Sequence, residues 1–122
     1  LGVIPGTQFI ADDTPEKYKE DIRKQFEKLS DLRDRHTEVV FNPDAGADQE
    51  AIEKDAENYK DKRLLILGSG WDRNLADRLK ADLLIISVPV QYRLIMNCGY
   101  AGYAGGLRAI EDIYDRVLNT YR

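Results

Sequence analysis

Short apolar runs alternate with longer amphipathic stretches along this chain, and that alternation most restricts what it can fold into. Leu64-Leu65-Ile66-Leu67 is a continuous apolar run of strand length, the pattern of a strand covered on both faces, and Leu83-Leu84-Ile85-Ile86-Ser87-Val88 is the strongest strand. The segments between such runs carry apolar residues at helical spacing. Strand, helix and strand in succession predict parallel βαβ units and an α/β fold.

The elements follow in order. A weak strand is expected within Ile4 to Ile10, interrupted at its front by Pro5 and Gly6. Asp13, Pro15 and Glu16 form a helix-start signature, and Tyr18, Ile22, Phe26 and Leu29 then mark one inward face. Glu38 to Phe41 reads as a short strand, and Asn42-Pro43-Asp44-Ala45-Gly46 is turn chemistry. A second helix is expected from about Asp48 to Tyr59, with Ile52, Ala56 and Tyr59 inward. Gly68-Ser69-Gly70 ends the third strand, and Leu75 and Leu79 mark a short helix reaching Lys80. Pro89 closes the strongest strand. The last helix is expected from near Gly102 to Tyr121, with Leu107, Ile110, Tyr114, Val117 and Tyr121 on one apolar face. The sum is a three-layer, Rossmann-like parallel sheet of about four strands with four helices.

At 122 residues there is material for one domain with one real core. Hydrophobic residues at 43% and charged residues at 33% are a globular balance. With 18 Lys plus Arg against 22 Asp plus Glu, the net charge is -4, which argues against a nucleic-acid partner. A single cysteine, Cys98, excludes an internal disulfide or a four-cysteine site within this chain. The apolar runs are too short for a membrane span, and no signal-peptide pattern opens the sequence, so a cytoplasmic setting is expected. The opening Leu1-Gly2-Val3-Ile4-Pro5, with helix-stop residues and no Met, reads as a piece of a larger protein.

In open parallel sheets, ligands bind beyond the carboxyl ends of the strands. Three segments should gather there: Asn42 to Gly46, Gly68 to Arg73 and Val90 to Gly106. Ser69 and Gly70 could present backbone N–H groups to an anion at a helix start. The third glycine of a dinucleotide fingerprint is missing, however, and a tight strand-to-helix turn explains a lone G-x-G as well. Trp71 is a pocket wall or an interface anchor. His36, the only histidine, lies in a charged stretch without other candidate ligands and reads as a solvated loop residue. Asp12-Asp13 and Glu111-Asp112 are explained by capping and solvation.

The richest segment is Tyr92-Arg93-Leu94-Ile95-Met96-Asn97-Cys98-Gly99-Tyr100-Ala101-Gly102-Tyr103-Ala104-Gly105-Gly106. Its glycines permit close backbone approach, Tyr100 and Tyr103 add rigid contact area, and Arg93 offers a fork for carboxylate or phosphate. Cys98 is either a small buried hydrophobe or a cluster ligand needing further thiolates from elsewhere.

The run from Leu84 to Arg93, followed by Gly102-Tyr103-Ala104-Gly105-Gly106-Leu107, resembles the C-terminal region of the nitrogenase component 1 superfamily. Members show an apolar strand, a Phe-Pro pair with an Arg shortly after, and a Gly-Tyr-x-Gly motif opening a long helix. Leu1 to Glu16, Glu38 to Asp44 and Leu64 to Trp71 resemble upstream elements of the same region, in order, so the likeness covers essentially the whole chain. The resemblance implies that residues 1–122 are most of the third, Rossmann-like domain of a larger oxidoreductase subunit. It implies a homologous partner subunit, in an α/β heterodimer or a homodimer, and electron delivery by an ATP-dependent iron protein. An iron-sulfur or iron-molybdenum-type cluster is implied for the complete protein and none for the fragment alone, which would perform no chemistry by itself.

Arg93 matches the family Arg, and Gly102, Tyr103 and Gly105 match Gly-Tyr-x-Gly. With Asn97, Ser69 and Gly70 they are the expected lining of a cofactor or substrate cavity, and Cys98 is the one metal-capable side chain of the loop. Val88 stands where the family has Phe, Tyr92 where an acidic residue is frequent, and no His lies between Arg93 and Gly102. These departures favour a β-type subunit, a cofactor-assembly scaffold or another nitrogenase-like reductase component over a catalytic α subunit. A reading without the family is a stand-alone nucleotide- or flavin-binding module using Gly68-Ser69-Gly70.

Overall fold

The strands and helices expected from the apolar pattern are present in order in the computed structural model, which describes residues 4–29, 38–42, 44–87, 89–90 and 99–119. They are β1 (Gln8–Ile10), α1 (Glu16–Leu29), β2 (Val39–Phe41), α2 (Ala45–Ala56), β3 (Leu65–Gly68), α3 (Arg73–Leu79), β4 (Asp82–Ile85) and α4 (Gly102–Asn119). Short 3₁₀ turns, Glu57–Tyr59 and Gly70–Asp72, follow α2 and precede α3. The sequence reading treats 1–122 as one partial domain; packing divides it into two compact units, Leu1–Asp55 and Ala56–Arg122. Each unit holds one parallel pair of strands, β1 with β2 and β3 with β4. The chain is therefore mixed α/β with two small parallel sheets.

In the amino-terminal unit, Gln8, Phe9 and Ile10 pair with Val39, Val40 and Phe41. Val39 is buried, and α1 packs over β2. The contact is made by basic side chains: the Arg23 guanidinium stands 5.0 Å and the Lys19 ammonium 5.7 Å from the Phe41 ring centroid, where cation and π-face attract. Ile22 and Phe26 are partly covered, but Tyr18, expected inward, is exposed. It lies in the first full turn and holds Lys17 over its ring at 4.7 Å instead. Helix α2 begins three residues before the position expected, because Asp44 caps it. Its Oδ1 accepts the Gly46 N–H at 2.9 Å, while Asn42 Oδ1 accepts the Asp44 N–H at 3.0 Å. Thr7 Oγ1 donates to Asp55 Oδ2 at 3.1 Å, tying the approach to β1 to the last turn of α2.

In the carboxyl-terminal unit, Leu65 to Gly68 pair with Asp82 to Ile85 in register. Alternation along the strands puts Ile66, Leu83 and Ile85 on one face, where they pack with Ala76 of α3 and with Ala81. Leu75, wholly buried, contributes about 2 kcal/mol by its removal from water. Helix α3 stops at Lys80, whose left-handed backbone (φ 52°) turns its N–H back onto the Ala76 and Asp77 carbonyls. The other face carries Asp82, Leu84 and Leu67, and α4 packs against β4.

Arg63, just ahead of β3, donates from Nε to Asp82 Oδ2 at 2.7 Å and from Nη2 to the Val117 carbonyl at 2.9 Å. This clamp pins the carboxyl end of α4 to the edge where both strands begin. The helix therefore runs back against the strands, and Gly102 at its amino end lies toward the edge where they finish.

Two further expectations need correction. Leu67 is 51% exposed, so β3 is not covered on both faces; α4 lies over β4 and leaves it open. Strand β4 ends at Ile85, because the Ile86 and Ser87 N–H groups both turn onto the Gly68 carbonyl, at 2.9 and 3.1 Å. The apolar row of α4, for which the sequence leaves core and interface equally open, is mostly uncovered: Leu107, Ile110 and Tyr114 are exposed and Val117 is partly covered, whereas Gly105 is buried and Ala109, Asp112, Ile113 and Arg116 are partly covered. Among the described residues no helix is long and apolar enough to cross a membrane.

Candidate functional site

Five of the residues singled out in the sequence fall at the carboxyl edge of β3 and β4, and the Asn42–Gly46 segment belongs to the other unit. Ser69 and Gly70 follow β3 directly, and Gly102, Tyr103 and Gly105 form the opening turn of α4, whose amino end the Arg63 clamp directs to this edge. Arg93, Asn97 and Cys98 lie outside the described residues, as do His36 and Tyr121.

The turn after β3 satisfies itself. Asp72 Oδ2 accepts the Ser69 N–H at 2.8 Å and the Ser69 hydroxyl at 3.1 Å, and Ser69 Oγ accepts the Trp71 N–H at 3.3 Å. This is a capping box compressed into a 3₁₀ turn. The next donor, the Gly70 N–H, goes to the Pro89 carbonyl at 2.7 Å and so draws the segment after β4 against the turn. Gly68 is glycine for a steric reason: a Cβ there would run into the Asp72 carboxylate. A carboxylate of the chain thus sits where a bound phosphate would sit in a phosphate-cradling loop. An added anion would meet both spent donors and a like charge. What the turn builds is shape; Trp71 on it is exposed, as are Ile86 and Val90 in the segment after β4.

The opening of α4 is held by a different device. Gly102 adopts φ 71°, a left-handed conformation open to glycine at little cost. Gly105 lies against the preceding segment: a Cβ would stand 2.8 Å from the Gly99 carbonyl oxygen and 2.9 Å from Tyr100 Cα. Tyr100 is locked there by its hydroxyl, which donates to Asp112 Oδ2 at 2.6 Å, while Arg108 Nε pairs with Asp112 Oδ1 at 3.2 Å. The two matched glycines of Gly-Tyr-x-Gly therefore have separate tasks. Gly102 turns the chain into the helix, and Gly105 lets residues 99–100 lie flat upon it. Tyr103, between them, is fully exposed.

Asp112 and Asp72 are the residues that sequence reasoning missed. Asp112 was assigned to solvation, yet its side chain is only 13% exposed. The available signal was its position seven residues after Gly105, two helical turns along the same face. Asp72, three residues after Ser69, carries the capping-box spacing that would have identified it.

Among the described residues no three His, Cys, Asp or Glu side chains gather in a group that could hold a metal ion. Comparison with protein-family models, curated proteins and solved structures gives no match for this chain.

Proposed function

We propose that this chain is a domain of a nitrogenase-like oxidoreductase subunit that lines a metallocluster or substrate cavity and contributes to a subunit interface. The observation that carries the reading is the build of the Gly102–Gly105 turn. Its glycines are demanded by a left-handed φ and by close backbone approach, so the motif is a structural element and not a chance of composition. It also opens a long helix at the carboxyl edge of a parallel strand pair, where α/β proteins place their ligands. In this reading the two βαβ crossovers belong to a three-layer, Rossmann-like sheet of about four strands.

The cluster of such a protein supplies the redox chemistry when bound, with the cysteines of its bridging cluster outside this chain and Cys98 the one candidate ligand within it. Arg93 and Asn97 line the cavity with Gly102 and Tyr103, and Cys98 is the loop's only thiol. A homologous subunit and an ATP-dependent iron protein are the partners in this account. The alternative of a nucleotide or flavin module loses its main support at the turn after β3, where Asp72 takes the donors a phosphate would need.

The test is Arg93→Ala in the complete protein. Reductase activity or cluster retention is expected to fall at least tenfold with the far-ultraviolet circular dichroism unchanged. Cluster retention lost without any reductase activity in the parent would point to an assembly scaffold. Unchanged activity and iron content would remove the cavity role.

A further inference from the structure

The geometry points to α4 as a self-association surface through which two copies of this chain pair antiparallel about a two-fold axis near Ile110. The surface follows from the helix itself and stands apart from the functional reading above. Tyr103, Leu107, Ile110, Tyr114 and Leu118 recur at intervals of four, three, four and four residues, the spacing of a helix–helix seam. Among the described residues the stripe stays open: Tyr103 is fully exposed, and the other four are 39–63% exposed.

The stripe complements itself when inverted. With the axis between Ile110 and Glu111, Tyr103 comes opposite Leu118 and Leu107 opposite Tyr114, an aromatic facing an aliphatic at both levels, and the two Ile110 side chains adjoin at the centre. This is the self-matching an isologous interface requires. Charges agree with the same register. Glu111 and Asp115 rim the stripe on one side, and Arg108, half exposed while it pairs with Asp112, reaches along that rim toward Glu111 and Asp115 of the second copy.

Covering these five side chains removes roughly 500 Å² per copy, about 1,000 Å² for the pair. That is the size at which a specific interface begins, so the pairing is expected to be of micromolar strength and reversible.

Sedimentation velocity of the full 122-residue chain across low to high micromolar concentration tests this. A concentration-dependent monomer–dimer equilibrium is expected, weakened at least tenfold by Ile110→Glu, which places two like charges at the axis. Should Ile110→Glu fail to fold, cross-linking carries the test in a Cys98→Ser background. Ile110→Cys should oxidise rapidly to a disulfide dimer, and Asn119→Cys, on the far side of the helix, should not. A monomer at every concentration overturns the proposal, including one whose α4 stripe is protected from hydrogen exchange by another part of the chain. So does a dimer indifferent to Ile110→Glu with equal cross-linking at both cysteines.

Discussion

Gly105 and Gly106 are neighbours in one helix, yet replacing each by alanine should move stability in opposite directions. In the interior of a helix, Gly→Ala ordinarily stabilises by about 0.5–1 kcal/mol, because glycine loses more backbone entropy on folding. Gly106 meets no atom within 4 Å of a built Cβ, so Gly106→Ala should show that full gain. At Gly105 the same methyl would lie 2.8 Å from the Gly99 oxygen and 2.9 Å from Tyr100 Cα, roughly 1 Å inside ordinary contact. These are backbone atoms and cannot swing aside. Either the overlap is held, at about 1–3 kcal/mol, or residues 99–100 lift off and the Tyr100–Asp112 bond is lost. A hydrogen bond to a charged group is worth about 1.5–3 kcal/mol. Either route exceeds the helix gain and leaves Gly105→Ala about 1–2 kcal/mol less stable than the parent. Urea unfolding followed by far-ultraviolet circular dichroism and by the fluorescence of Trp71 measures both variants. Gly105→Ala as stable as Gly106→Ala would refute the close approach and, with it, the reason given for the second glycine of the motif.

Asp72→Ala removes the acceptor of two Ser69 donors and should destabilise the carboxyl-terminal unit by about 1–2 kcal/mol in the same urea assay. Arg63→Ala breaks the bonds to Asp82 and to the Val117 carbonyl. About 1–2 kcal/mol should be lost, with exchange of the last turn of α4 rising first in hydrogen–deuterium measurements. Lys80→Gly relieves a left-handed non-glycine residue at the end of α3 and should raise the unfolding midpoint, by the equivalent of about 0.5–1 kcal/mol.

The elements were legible because each rests on local rules. Apolar runs marked the cores of β3 and β4, Asp13-x-x-Glu16 marked the start of α1, and Gly68 and Gly102 marked the breaks. What was not legible depends on which of two competing faces wins. Helix α4 carries a row of large apolar residues and, beside it, a row led by Gly105 and Ala109. Size alone does not decide which row packs inward; Gly105 lets residues 99–100 lie against the helix, and it is the row led by Gly105 and Ala109 that is covered. Leu67 misled for a related reason: an apolar run cannot tell a central strand from the uncovered half of a pair. Tyr18 sits at the right spacing but stays exposed, with Lys17 over its ring.

At the site, the glycines of Gly-Tyr-x-Gly were found by motif, and their separate tasks emerged only from the backbone. Asp112 was overlooked because capping and solvation usually explain an acidic residue on a helix, and Asp72 because its spacing from Ser69 was not weighed. Here both are structural acceptors, one closing the turn after β3 and the other anchoring Tyr100.

The central claim, that this chain is a domain of a cluster-bearing reductase or its assembly relative, is tested most directly on the native polypeptide isolated without oxygen. Its mass, iron and acid-labile sulfide should be measured together. The account predicts a polypeptide several times larger than 13.9 kDa that carries iron and sulfide. An iron-free protein of 13.9 kDa would contradict it.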